Sequence, residues 1–85
     1  MHFIYTARWW LYGDTYVAEV PDVSACETTA DTLTGLIEAI TDALAHCLII
    51  RIENDFPIPN PSDPETLFEQ GKELMAIDVD LKNYI

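Results

Sequence analysis

Asp31-Thr32-Leu33-Thr34-Gly35-Leu36-Ile37-Glu38-Ala39-Ile40 opens the stretch that decides the fold. Asp31 and Thr32 are both candidate N-caps, because a short side-chain oxygen there can accept one of the unpaired amide hydrogens of a first helical turn. From that point apolar residues recur at spacings of three and four, as Leu33, Leu36, Ile37, Ile40, Leu44, Cys47 and Leu48. The spacing predicts one apolar stripe on a helix of about five turns, ending near Glu53. Glu38 and Asp42 lie off the stripe. Gly35 is a weak helix former and costs up to about 1 kcal/mol against Ala. A helix with one apolar stripe must bury it against another layer, and the flanking chain supplies strands for that layer.

Upstream, residues 2–11 alternate Phe3, Tyr5, Ala7 and Trp9 with Ile4, Thr6, Arg8 and Trp10, an aromatic and β-branched run that reads as a strand. Tyr12-Gly13-Asp14 reads as a turn, and Thr15–Val20 as the second strand of an antiparallel hairpin. Pro21 and Asp22 end it, and Cys26–Thr29 fits a third short strand. Downstream, residues 56–64 hold four of the five prolines and are expected to form an extended connector. One helical turn fits 64–69, and Glu73–Leu81 is the last strand. The expected fold class is therefore α+β, a two-layer sandwich in the order β-β-β-α-β, with an antiparallel meander and a returning strand packed on one long helix. Period 2 puts Phe3, Tyr5, Ala7, Trp9, Tyr16, Ala18, Val20, Met75, Ile77 and Val79 against the helix. It leaves Ile4, Thr6, Arg8, Trp10, Thr15, Val17, Glu19, Glu27, Asp78 and Asp80 on an open face that mixes apolar groups with acids, as interfaces do.

Composition narrows the function. With 15 Asp and Glu against 4 Lys and Arg, the formal net charge is −11 over 85 residues. Affinity for nucleic acid comes largely from Lys and Arg on phosphates, so direct nucleic-acid binding by this domain is not expected. An anionic membrane surface is disfavoured for the same reason. A cationic protein partner is favoured, because opposite fields speed encounter. At 49% hydrophobic residues the chain is globular and not a disordered acidic tail. Two cysteines are too few for a secreted disulfide scaffold, the N-terminus has no signal-peptide pattern, and uninterrupted apolar runs such as Cys47-Leu48-Ile49-Ile50 fall far short of a membrane span. A soluble cytoplasmic protein with reduced thiols is expected.

The residues Tyr16-Val17-Ala18-Glu19-Val20-Pro21-Asp22, then Cys26, then Asp31-Thr32-Leu33 opening the helix, then Pro57-Ile58-Pro59-Asn60-Pro61-Ser62, and finally Met75 to Leu81 and Tyr84 resemble the HicB family of antitoxins in order and spacing. The chain departs from the family pattern where a Pro-Gly turn is Ser24-Ala25 and where an acidic residue of the first helical turn is Gly35. The resemblance implies a partial RNase H-like domain without catalytic acids. The implied role is neutralising HicA, a small basic mRNA-cleaving toxin, by protein–protein binding. Many members continue into a DNA-binding domain; this sequence is expected to be a single HicB-like domain over 1–85 without that C-terminal part.

Chemistry is read as secondary. Asp14 sits in a turn, Asp22 after a strand, Asp31 at a cap, and Asp78 and Asp80 point outward from the last strand, so no carboxylates are expected to gather around two metal ions. His2, Cys26, His46 and Cys47 lack zinc-ligand spacing, and Cys47 reads as a small core hydrophobe. No cofactor, no metal and no enzymatic activity are expected. Trp9 and Trp10 face opposite sides of their strand, so one of them must lie on the open face, where tryptophan often anchors a partner. The residues expected to meet a basic HicA-like toxin are Trp10, Glu19, Glu27, Asp78 and Asp80. Exposed apolar positions and a sheet edge also favour a homodimer or larger homo-oligomer. The rival readings are a self-assembling structural module without a toxin and, third, an RNase H-like metal-dependent nuclease.

Overall fold

The computed structural model describes residues 1–84. Four strands, β1 (His2–Tyr12), β2 (Thr15–Glu19), β3 (Glu27–Ala30) and β4 (Glu73–Asp80), form one antiparallel sheet in the order β3-β2-β1-β4. The helix α1 (Leu33–Glu53) lies on one face and makes the second layer of an α+β sandwich. The β1–β2 hairpin turns on Gly13 and Asp14, with Tyr12 opposite Thr15. Gly13 has φ 60°, the left-handed conformation that a two-residue hairpin loop needs at its first position.

Strand faces follow the sequence period. Tyr5, Ala7, Ala18, Val20, Ile77 and Val79 are buried toward the helix, and Phe3, Trp9, Tyr16 and Met75 pack on them at the margins. Several boundaries move: β1 runs on to Tyr12 and β3 to Ala30. β3 starts after Cys26, which is buried in the core and hydrogen bonds through its backbone to the β2–β3 loop. β2 stops at Glu19, and β4 stops at Asp80, where the buried Leu81 opens a 3-10 turn over Leu81–Asn83. One helical turn does form in the connector, as a 3-10 helix over Pro64–Leu67.

The helix stripe is corrected in detail. The buried residues are Leu36, Ile40, Leu44 and Leu48, every fourth position, with Ala45 beside them; Leu33 and Ile37 are exposed, Ile37 at 45%, and Cys47 is half-buried. A row of every fourth residue drifts by about 40° per step around a helix of 3.6 residues per turn. A twisted sheet follows such a drifting line, so the contact moves off Leu33 and Ile37 at one end and onto Ala45 and Ile49 at the other. Although contiguous apolar runs are short, α1 as a whole is long and apolar enough to cross a membrane by length and composition alone. Here its buried row is covered by the sheet, as expected of the core helix of a small domain.

Thr32 is the N-cap, with its hydroxyl oxygen accepting from the Gly35 amide at 3.0 Å. Asp31, the other candidate, makes no cap. A side chain at position 35 would bring its Cβ to 3.0 Å from that same oxygen, so the glycine leaves room for the cap. Thr32→Ala is expected to lower stability by about 1 kcal/mol, measured by urea unfolding; an unchanged midpoint would mean the cap contributes nothing.

The connector does more than join the helix to β4. Tyr5 Oη, held protonated by burial and by the charge of Asp22, donates to the carbonyl of Pro59. Ser62 donates its amide and its hydroxyl to the two carboxylate oxygens of Asp22, at 2.7 and 2.6 Å. Arg8 then reaches the carbonyl of Leu67 at 3.3 Å on the opposite face of the sheet. The chain thus passes from the helix side, below the end of β2, to the open side before entering β4. Thr6, on the nominally open face, is only 8% exposed.

Candidate functional site

The candidate site is this second face of the sheet. Its rows follow from the strand register: Glu27, Glu19, Arg8 and Leu74 lie across one level, Val17 and Trp10 lie one row above, and Ile4 with Asp78, then His2 with Asp80, lie at the other end. All five residues expected to meet a partner belong to this face. They do not form one cluster.

Glu19 and Trp10 are brought together by a residue the sequence reading did not select, Lys72. Its ammonium lies 4.0 Å from the centre of the Trp10 ring and 3.3 Å from Glu19 Oε2. Arg8 holds the same oxygen of Glu19, at 3.1 Å, and reaches Glu69 at 3.4 Å; Lys72 closes the ring to Glu69 at 3.0 Å. The result is a two-plus-two network of Arg8, Glu19, Glu69 and Lys72, neutral in sum. The turn that makes it is Glu69-Gln70-Gly71-Lys72, closed by the Lys72 amide on the Glu69 carbonyl, with Gly71 at φ 89° where a type II turn requires a left-handed residue. Gly71 was the available sequence signal for this turn. The partners Glu19 and Arg8 lie more than fifty positions away and carry none.

The hydrogen bond from Lys72 lowers the Glu69 pKa, helped by the charges of Lys72 and Arg8, while the bond to Glu69 raises that of Lys72. A carboxylate with a lowered folded pKa adds stability above its unfolded pKa and loses it as pH falls through the folded value. The network therefore contributes at neutral pH and fades on acidification.

Glu27 is exposed on the edge strand β3, directly opposite Glu19. Asp78 and Asp80, opposite Ile4 and His2, stand at the far end of the face, roughly 20 and 26 Å from Trp10 at about 3.3 Å per strand residue. Asp78 is exposed and pairs with His2. Asp80 accepts from the Lys82 amide at 3.2 Å and sits near the Lys82 ammonium and the N-terminal amine, at 3.7 and 3.8 Å. Its pKa is lowered, chiefly by the amide bond and then by these charges. Among the described residues, Glu19, Glu69 and Asp80 are the acids with a lysine or arginine partner. The remaining acids, including Glu27 and Asp78 here and Glu38 and Asp42 on α1, have none and carry most of the negative field, to which the loosely paired Asp80 adds. Asp42 instead accepts from the Tyr84 hydroxyl at 2.7 Å. Among the described residues no three His, Cys, Asp or Glu side chains converge as a metal site requires. Among the described residues the face is an exposed surface of mixed apolar and charged groups, with an open depression of about 390 Å³ lined by Val17, Glu27, Thr28 and Thr29.

No protein-family model matches the chain, and no curated protein matches it in sequence. Solved structures match its fold. A chain of a toxin-antitoxin complex from Streptococcus pneumoniae superposes with a TM-score of 0.87 at 19% identity, covering 100% of this chain and 74% of that one. A chain of the HicA3 and HicB3 toxin-antitoxin complex gives 0.76 at 20%, covering 92% and 99%. The N-terminal domain of Burkholderia pseudomallei antitoxin HicB gives 0.74 at 23%, covering 95% and 100%. The chain has the fold of the HicB N-terminal domain.

Proposed function

We propose that this domain is an antitoxin that acts in the cytoplasm by binding a small basic toxin of HicA type and covering its RNA-cleaving surface. The observation that carries the reading is a match in fold over 92% and 100% of the chain to chains of two toxin-antitoxin complexes, in a protein of net charge −11. A toxin that grips RNA phosphates must be cationic, and an acidic binder meets it with a complementary field. The docking surface is the second sheet face, with Trp10 as apolar anchor and Glu27, Asp78 and Asp80 as steering charges. Glu19 acts indirectly, by holding Lys72 on the Trp10 ring. An interface of standard size, about 800 Å² per partner, is roughly 30 Å across and spans both ends of this face. The reading assigns the domain binding and no catalysis.

The test is co-expression with the small basic reading frames that adjoin its gene. Growth is expected to recover from whichever of them is toxic, and that protein is expected to co-purify with the domain. Persistent toxicity beside a well-expressed, folded domain, with nothing basic co-purifying, would sink the antitoxin reading. Divalent-metal-dependent RNA cleavage by the pure domain would replace it with a nuclease.

A further inference from the structure

The sheet ends at β3, and the backbone of that strand is paired on one side only. In an antiparallel ladder, residues alternate between turning N–H and C=O toward a neighbouring strand and turning them away from it. The Val20 N–H sets the phase here, by donating to the Cys26 carbonyl at 2.9 Å. Cys26, Thr28 and Ala30 therefore face β2, and the backbone groups of Glu27 and Thr29 face outward. Among the described residues no hydrogen bond from elsewhere in the chain reaches them. Exposed edges are commonly blunted by lysine, proline or a bulge. Glu27–Ala30 is short but has none of these, and its ladder with β2 is unbroken. The edge is also held in place. The loop before it is closed by Val23 N–H on the Val20 carbonyl at 3.0 Å and Cys26 N–H on the Val23 carbonyl at 3.1 Å, and is tied to the connector through Asp22 and Ser62. A strand that docks there finds its partner groups already ordered.

Charge decides what kind of strand fits. Glu27 lies directly opposite Glu19, and the two cations beside that pair, Arg8 and Lys72, both sit on Glu19 Oε2. Glu27 is left facing a carboxylate with no cation of its own among the described residues. Next to it, Val17, Glu27, Thr28 and Thr29 line the open depression of about 390 Å³. A lysine or arginine on an added strand can lay its methylenes along Val17 and bring its charge to Glu27. A second copy of the chain would instead bring a net charge of −11 to the same edge.

We propose that β3 is a docking edge for an extended, basic segment of the protein partner. The segment joins the sheet as a further strand, bonded to the outward N–H and C=O groups of Glu27 and Thr29, with a lysine or arginine set against Glu27. The inference rests on the reading of the domain as a binder of a basic toxin. It adds to that reading a backbone mode of recognition at the rim of the sheet face that carries Trp10.

The experiment uses the domain and the basic protein recovered by co-expression with the adjoining reading frames, and follows amide hydrogen exchange in the free domain and in the complex. In the free domain the Glu27 and Thr29 amides are expected to exchange freely while Thr28, bonded to β2, is protected. In the complex both outward amides are expected to become protected. Ala76 and Asp78, which by the same alternation face outward from β4 at the opposite edge, are expected to stay unchanged. Thr29→Pro deletes one outward N–H and is expected to weaken binding by about tenfold. Ala76→Pro, the matched change at the β4 edge, is expected to leave binding as it is, with circular dichroism confirming that both variants fold. A complex in which Glu27 and Thr29 exchange as in the free domain would overturn the proposal and leave the antitoxin reading standing. Protection of those amides in the free domain, together with a dimer in sedimentation, would give the edge to a second copy and overturn it as well. Recovery of no basic partner would remove both readings. The exchange measurement decides even where a proline variant does not fold.

Discussion

Leu44→Ala is expected to remove about 2–5 kcal/mol of stability, the range for truncating a buried leucine. Leu44 is 0% exposed, at the middle of the row Leu36, Ile40, Leu44 and Leu48, which shares one buried core with Tyr5, Ala18 and Ile77. A domain of this size holds about 4–13 kcal/mol in all, at roughly 0.05–0.15 kcal/mol per residue, so the variant should lose a large part of its margin and of its soluble yield. The matched control is Ile37→Ala, a position on the stripe expected from sequence but 45% exposed, where a loss below about 1 kcal/mol is expected. Urea unfolding of both variants measures the difference. Equal losses at the two positions would show that the drifting row of contacts is wrong.

The second large effect concerns binding, and it separates charge from apolar contact by rate constant. Trp10→Ala should cost about 2 kcal/mol if the ring is a true anchor, which is roughly 30-fold, appearing mainly as faster dissociation of the toxin. Neutralising Glu27, Asp78 and Asp80 together, as Glu27→Gln, Asp78→Asn and Asp80→Asn, should mainly slow association, and added salt should erase that difference. Glu19 is left out of the triple variant because removing it would strip Arg8 and Lys72 of their shared partner and change the surface under study. The contrasting variant is Glu38→Gln with Asp42→Asn on the exposed side of α1. Surface-binding kinetics at two salt concentrations, with circular dichroism on each variant, decide between the faces. If the helix pair slows association and the sheet triple does not, the toxin sits on the helix.

Much of the molecule was legible because its signals are local. Alternation in residues 2–11, 15–20 and 73–81 placed the strands and assigned inward and outward faces, since a strand's side chains alternate whatever lies around it. Thr32, the apolar spacing and the prolines placed the helix and the end of its run. The acidity set the expectation of a cationic protein partner before any fold was considered.

What the tertiary structure decided depends on groups far apart in the chain. The sequence could place Trp10 and Glu19 on one face but could not bring Lys72 onto both. That contact requires the proline connector to pass below β2, anchored by Asp22 on Ser62 and Tyr5 on Pro59, and to cross over Arg8 before β4 begins. Likewise, α1 is apolar around much of its surface, so the spacing of its residues allowed more than one contact line. The twist of the sheet selected the row through Leu36 and Leu48 and left Ile37 in solvent. A strand face is set by the period of the backbone, whereas a loop path and a helix contact line are set by whichever distant groups can be satisfied together, and that is a property of the packed chain alone.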